Sequence, residues 1–297
     1  MDRRRFVAAS LANAAAVSLF KRQGPRQLLI DSHVHVWKRD AAFPFAAGAK
    51  APDGDFSVER LLALMAANGV ARTVLIQVIH YKWDNRYLAD VLRRFPGKFQ
   101  AVCRVDPESA AAPDELSRLT TQGFRGVRLS PAAVADGDWI RGPLMPPLWR
   151  RCAELKVPMT VLAPVTRMPD LMPLIERNPE LTVVIDHMAD SPLGEPEKLG
   201  MLLALARFPR VFVKISHAWS VSKQAYPYAD AMAQIRRLRD GFGAERLMWG
   251  TDWPVSLKEL TYAQAVGLYR DHLGWMTEGE RAWVLRKTVE RVWPFGL

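Results

Sequence analysis

Cysteine is nearly absent from this 297-residue chain: there are two, Cys103 and Cys152. They lie far apart with no C-x-x-C spacing, one in a strand-like run and one in a helix-like run, so neither a thiolate metal cluster nor a disulfide framework follows. No glycine-rich turn follows the first apolar run at Ile30, which removes the fingerprint of an open dinucleotide-binding sheet. Beyond Arg26 there is no low-complexity linker, short repeat or shift in composition, so a single domain over residues 27–297 is the simpler organisation. A long hydrophobic run is missing too. The stretch from Phe6 to Phe20 falls short of the roughly 20 residues that a stable membrane span needs.

What is present in excess is positive charge, 41 Lys and Arg against 31 Asp and Glu, a formal net charge of +10. The basic residues are scattered. Arg3, Arg4, Arg5, Lys21 and Arg22 crowd the N-terminus, and most others alternate with acids along helix-like segments. That distribution reads as a solvated surface behind a basic leader and not as a nucleic-acid-binding stripe, although a positive field still draws in small anionic substrates. Residues 1–26 have the charged start, apolar middle and small residues of an export signal. "RRRF" resembles the twin-arginine motif, with Asp2 where Ser or Thr is usual. The segment predicts export to the periplasm by a twin-arginine-type route; without that signal function the chain is cytoplasmic.

Apolar runs alternate with amphipathic ones along the remainder. "QLLIDSHVH" precedes a helical pattern from Ser57 to Asn68, with Ser57 as N-cap and Gly69 as stop. Further strand-like runs are "ARTVLIQVI", "KFQAVCRVD", "GFRGVRLS", "VPMTVLAP", "LTVVIDH", "RVFVKIS" and "RLMWGTDWP", each followed by a helix-like segment. Near-continuous Val, Ile and Leu marks strands covered on both faces. Eight such units in one chain predict an α/β fold, a single-domain (β/α)8 TIM barrel.

Active sites of such barrels lie at the C-terminal ends of the strands. Those ends carry His33 and His35, Arg104, Arg128, His187, Lys214, His217 and Asp252. His33 and His35 are one residue apart, so strand alternation points both to one face, where two ring nitrogens can converge on one ion. Asp252, at the end of the eighth run, lies beside the first once the barrel closes. By the same alternation Asp186, next to His187, faces the helix layer as a structural acceptor, and Asp31 is a deep structural carboxylate. Lys214 either serves the site or pairs internally with an acid of a neighbouring strand. Trp37 and Trp253 directly follow site motifs and are candidates for the pocket wall.

"IDSHVHVW", "GFRGVRLS", "VVIDHMAD", "VFVKIS" and "LMWGTDWP" resemble, in order, the strand motifs of the amidohydrolase-2 (amidohydrolase-related) family of the amidohydrolase superfamily, closest to its lactonase-like branch. The resemblance implies an enzyme that opens a lactone or related ester bond of a small, acidic or sugar-derived substrate. The alternative is metal-dependent decarboxylation of an acidic ring compound. It makes His33, His35, Asp252 and His187 ligands of a single divalent metal, zinc, with Asp252 as general base and His187 also catalytic; a metal-free site built from the same residues stays open. Arg104, Arg128, His217 and Trp253 are assigned to substrate. Strand five, "VPMTVLAP", departs from the pattern: it has no Lys or His where binuclear members and zinc decarboxylases carry one, which argues against a two-metal site. Exposed outer helices leave room for a homo-oligomer.

Overall fold

In a computed structural model, which describes residues 28–130 and 140–296, the predicted alternation becomes eight parallel strands. The signal-like segment 1–26 and most of the predicted 132–142 substrate loop lie outside the described residues. The strands are β1 (Leu29–Val34), β2 (Val70–Ile76), β3 (Phe99–Cys103), β4 (Gly126–Leu129), β5 (Met159–Val161), β6 (Val183–Ile185), β7 (Val211–Lys214) and β8 (Leu247–Met248). Around them run α1 (Val58–Asn68), α2 (Arg86–Arg94), α3 (Ala112–Thr121), α4 (Met145–Leu155), α5 (Met168–Arg177), α6 (Pro196–Leu203), α7 (Ala218–Val221), α8 (Ala229–Phe242), α9 (Tyr262–His272), α10 (Glu278–Ala282) and α11 (Thr288–Val292).

Local chemistry sets the helix ends. Ser57 accepts a hydrogen bond from the Arg60 amide at the start of α1, and Gly69 ends it in the left-handed region at φ 72°. Two segments depart from the sequence reading. The helix predicted from Pro196 to Phe208 tightens into a 3-10 turn over Ala204–Arg207, and α10, α11 and the π turn Trp283–Lys287 follow α9.

Each strand pairs in parallel with the next, in the order β1 to β8. The circle nearly closes between β1 and the segment after β8. Ser32 donates to the Trp249 carbonyl, Asp252 to that of His33 and His35 to that of Trp253, and Val34 bridges Trp253. The floor of the barrel interior is apolar: Ile30, Val74, Val102, Val184, Phe212 and Met248 pack together above Val289, Val292 and Trp293 of the C-terminal segment. A separate larger cluster fills the space between strands and helices. The buried charges of the barrel mouth therefore stand above this apolar plug, at the C-terminal ends of the strands. No helix among the described residues is long and apolar enough to cross a membrane.

Candidate active site

His33 and His35 reach the same point, as alternation predicts. The His35 Nδ1–H donates to the Ile76 carbonyl of β2 at 2.7 Å, the only polarity that bond allows, which turns Nε2 toward the barrel mouth. That Nε2 lies 3.3 Å from Nε2 of His33 and 3.3 Å from Oδ1 of Asp252, and His33 Nε2 is 3.5 Å from the same carboxylate oxygen. Asp252 Oδ1 is buried without a hydrogen-bond donor among the described residues. Burial and the charge of Lys214 push the His33 imidazolium down to about 3, which keeps that ring neutral.

Two imidazole nitrogens and a carboxylate oxygen thus face one another at 3.3–3.5 Å. Tetrahedral ligands with bonds of roughly 2.0–2.1 Å sit about 3.3–3.4 Å apart, so the triangle has the dimensions of one face of a zinc-type site. The donor set and the orphaned oxygen fit a divalent cation.

Backbone features hold this triangle. Asp31 accepts from the His33 amide, the Thr251 amide and the Thr251 hydroxyl, tying β1 to the β8 segment. Burial pushes its carboxyl up to about 7. Its structural role is as the sequence suggests. A Cβ on Gly250 would lie 2.8 Å from Cβ of His33, so only glycine lets the two segments approach this closely. Asp252 itself adopts φ 53°, a strained conformation for a residue with a side chain.

Asp186 corrects the sequence expectation. It is fully buried and faces inward, not toward the helices: Oδ2 accepts from Arg128 Nε at 2.8 Å, and Oδ1 lies 3.0 Å from Lys214 Nζ and 3.4 Å from His33 Nδ1. Val184 points into the floor, so Asp186 two residues later points inward as well. β6 ends at Ile185, and a left-handed turn with His187 at φ 52° brings the histidine back to the same side. Burial opposes the Asp186 charge, but Lys214, His33 and Arg128 together hold the carboxyl well below the usual range. Lys214 therefore takes the internal ion pair, and the Arg128 edge carrying Nε is engaged by protein instead of being free for substrate.

His187 and His217 stack face to face, centroids 3.6 Å apart. His187 Nδ1 is hydrogen-bonded to the Ser216 hydroxyl at 2.7 Å. His217 joins Asp190 at 3.1 Å through Nδ1 to Asp252 Oδ2 at 2.6 Å through Nε2. Burial works against its charge, yet those two carboxylates raise its pKa to about 9, so it is an imidazolium that orients Asp252. Burial likewise opposes the Asp252 charge, but the hydrogen bond and positive charge of His217 outweigh it, holding the carboxyl well below the usual range.

The predicted four-ligand set divides. His33, His35 and Asp252 form one possible ligand group; His187 gathers with His33 and Asp186 in a second, and with His217 and Asp252 in a third. β5 contributes Thr160 between β4 and β6 and no metal-binding side chain, as the sequence indicates. Trp253 is fully buried, edge-on to Phe56 and Tyr262, so in this structure its ring packs behind the site and does not wall an open pocket. Trp37 packs on Phe56 and His80. Arg104 is buried one residue past β3, its Nη1 2.5 Å from the Ser130 hydroxyl. Sequence reasoning gave no role to Asp190 or Ser216; each follows an apolar strand by a few residues, a weak signal that serine and aspartate at any loop start also give.

The profile of the amidohydrolase family matches residues 30–295. An L-fucono-1,5-lactonase of Burkholderia ambifaria is 34% identical over 257 residues, 83% of this chain and 85% of that protein. A 2-pyrone-4,6-dicarboxylate hydrolase of Comamonas testosteroni is 30% identical over 237 residues, 76% of each. Among solved structures, a candidate 2-pyrone-4,6-dicarboxylic acid hydrolase of Pseudomonas putida superposes with a TM-score of 0.78 at 28% identity, covering 92% of this chain and all of that one. Histidines and an aspartate meeting where β1 and β8 close the barrel, and a profile match over nearly the whole described chain, lead to one assignment: the chain belongs to the amidohydrolase family and is a hydrolase-type enzyme.

Proposed function

We propose that this enzyme hydrolyses the ring ester of a small lactone at the His33, His35 and Asp252 site, with one divalent cation, zinc, held by those three residues. The observation that carries the reading is the orphaned Oδ1 of Asp252, set against two histidine nitrogens at ligand spacing. Lactone-opening relatives at 34% and 30% identity support the reaction class. A bound cation supplies Lewis-acid polarisation of the ester carbonyl and acidifies water.

The protein groups do the rest. The Asp252 carboxylate, oriented by His217 through Oδ2, takes the proton of the attacking water. The C–O bond of the ring then breaks, the proton passes to the leaving alkoxide, and a hydroxy acid is formed. The strain at Asp252 and the His217 bond keep the base aimed at one point, so little reorganisation accompanies the step.

A panel of lactones and aromatic acids, followed for acid release and carbon dioxide together with the zinc content of protein purified without added metal, tests the reading. Net acid release, no carbon dioxide and about one zinc per chain are expected. Carbon dioxide without acid release would replace lactone hydrolysis by decarboxylation, a reading that β5 disfavours because it lacks the histidine that zinc decarboxylases of the family use there.

A further inference from the structure

Among the described residues, Arg104 is the one site arginine without a counter-ion. Arg128 has Asp186 as its counter-ion. Arg104 is 1% exposed, yet no carboxylate of the described residues lies within ion-pair distance of it, and its Nε is buried without an acceptor. Its one side-chain hydrogen bond runs from Nη1 to the neutral hydroxyl of Ser130. Burial and the nearby Arg128 charge push it down to about 9. A buried unpaired cation costs several kcal/mol and is a rare thing for a fold to keep without use.

The residue is nevertheless firmly built in. Asn85 accepts from the Arg104 amide at 3.0 Å and donates to its carbonyl at 2.9 Å, and also donates to the Trp83 carbonyl at 2.8 Å. The half-buried indole of Trp83 lies against the guanidinium, 5.1 Å from ring centre to Cζ. One face of the guanidinium is thereby stacked and its backbone clamped to the β2–α2 loop, while Val102, two residues earlier on the strand, points into the barrel interior. Arg104 shares that inward direction. So do Arg128 and Ser130, because Gly126 of the same strand faces Val102 and Trp293.

We infer that Arg104, held by Trp83 and Asn85 and joined by the Ser130 hydroxyl, is a specificity-determining subsite for a carboxylate on the substrate, so that the enzyme acts on anionic lactones in preference to neutral sugar lactones. The inference rests on the lactone-hydrolase reading for its reaction and on the unpaired guanidinium for its charge. A planar guanidinium meets a carboxylate through two parallel N–H donors, and the unengaged Nε is one of them. The relatives bracket the choice: one is named for L-fucono-1,5-lactone, another for a pyrone dicarboxylate.

The test compares a γ-lactone bearing a ring carboxylate with the same lactone as its carboxamide, in the metal-loaded wild-type enzyme and in Arg104→Gln and Arg104→Lys. Wild type should favour the carboxylate in kcat/KM by on the order of 100-fold, the value of a buried charge-assisted pair. Arg104→Gln should bring the ratio close to unity. Arg104→Lys, which keeps the buried charge and so guards against a variant that does not fold, should leave about tenfold. A ratio unchanged by either substitution, or a wild-type preference for the carboxamide, overturns the inference. Isophthalate, an unreactive ring dicarboxylate, separates it from the reaction class, with binding read by calorimetry. Binding to wild type that weakens about 100-fold in Arg104→Gln upholds the subsite even if no lactone is turned over, whereas no binding to wild type refutes it.

Discussion

Two groups of buried polar side chains stand side by side in the barrel mouth and differ in how completely the protein satisfies them. On the β4, β6 and β7 side, Asp186 has Arg128 on one oxygen and Lys214 3.0 Å from the other, so every charge there has an opposite charge beside it. On the β1 and β8 side, two imidazole nitrogens and a carboxylate oxygen crowd together at 3.3–3.5 Å, and that oxygen has no donor among the described residues. The first group is what a fold needs to bury charge. The second is unfavourable until a proton or a cation sits between its members, which is why chemistry belongs there.

The largest effect should follow from touching the incomplete group. Asp252→Asn keeps the shape and the His217 contact but removes the charge and the base. The expected loss in kcat/KM is at least about a thousandfold, accompanied by weakened zinc binding and a melting temperature within a few degrees of wild type. Unaltered turnover would move the base elsewhere. The satisfied group should respond in the opposite currency. Asp186→Asn leaves Lys214 and Arg128 buried without a counter-ion, and the expected cost is about 3–5 kcal/mol of stability, read by denaturant unfolding. A variant as stable as wild type would mean that the ion cluster is not what holds this side together.

The residues that conveyed the fold did so because doubly covered strands must be apolar: "VVI" and "VFV" have no other reading. His33, His35 and Asp252 were legible for a related reason, since polar residues closing such strands have only the barrel mouth to occupy. Asp186 was not. Alternation puts Asp186 and His187 on opposite faces, and it fails where β6 stops and His187 takes a left-handed backbone that nothing in "IDHMAD" announces. Trp253 misled differently, because its place in "GTDWP" suggests the pocket while its ring turns back onto Phe56. The sealing of the floor by Trp293 was also hidden, for it depends on a C-terminal segment packing across the barrel and not on any local pattern.

Gly250 joins the two groups' logic to the backbone. Adding a methyl in Gly250→Ala forces Cβ of His33 away from a contact of 2.8 Å, and the triangle opens with it. Zinc affinity should fall by about 10–100-fold, the usual scale for disturbing the support of a metal ligand. Titration of the apo-protein with zinc in a competing chelator measures it. Affinity equal to wild type would show that His33 can shift without leaving the ligand position.

The smallest effect is the most informative about the border between the groups. His187 rests on the satisfied side through Ser216, yet its ring lies flat on His217, which orients Asp252. Ser216→Ala removes one hydrogen bond from a buried imidazole and costs about 1 kcal/mol of stability. Because the stack passes any tilt of His187 to His217, kcat/KM should also fall, by less than about tenfold, with KM nearly constant. A stability loss with kcat untouched would assign His187 to the structural side; a loss in kcat larger than that of His217→Gln would place it among the groups that touch substrate.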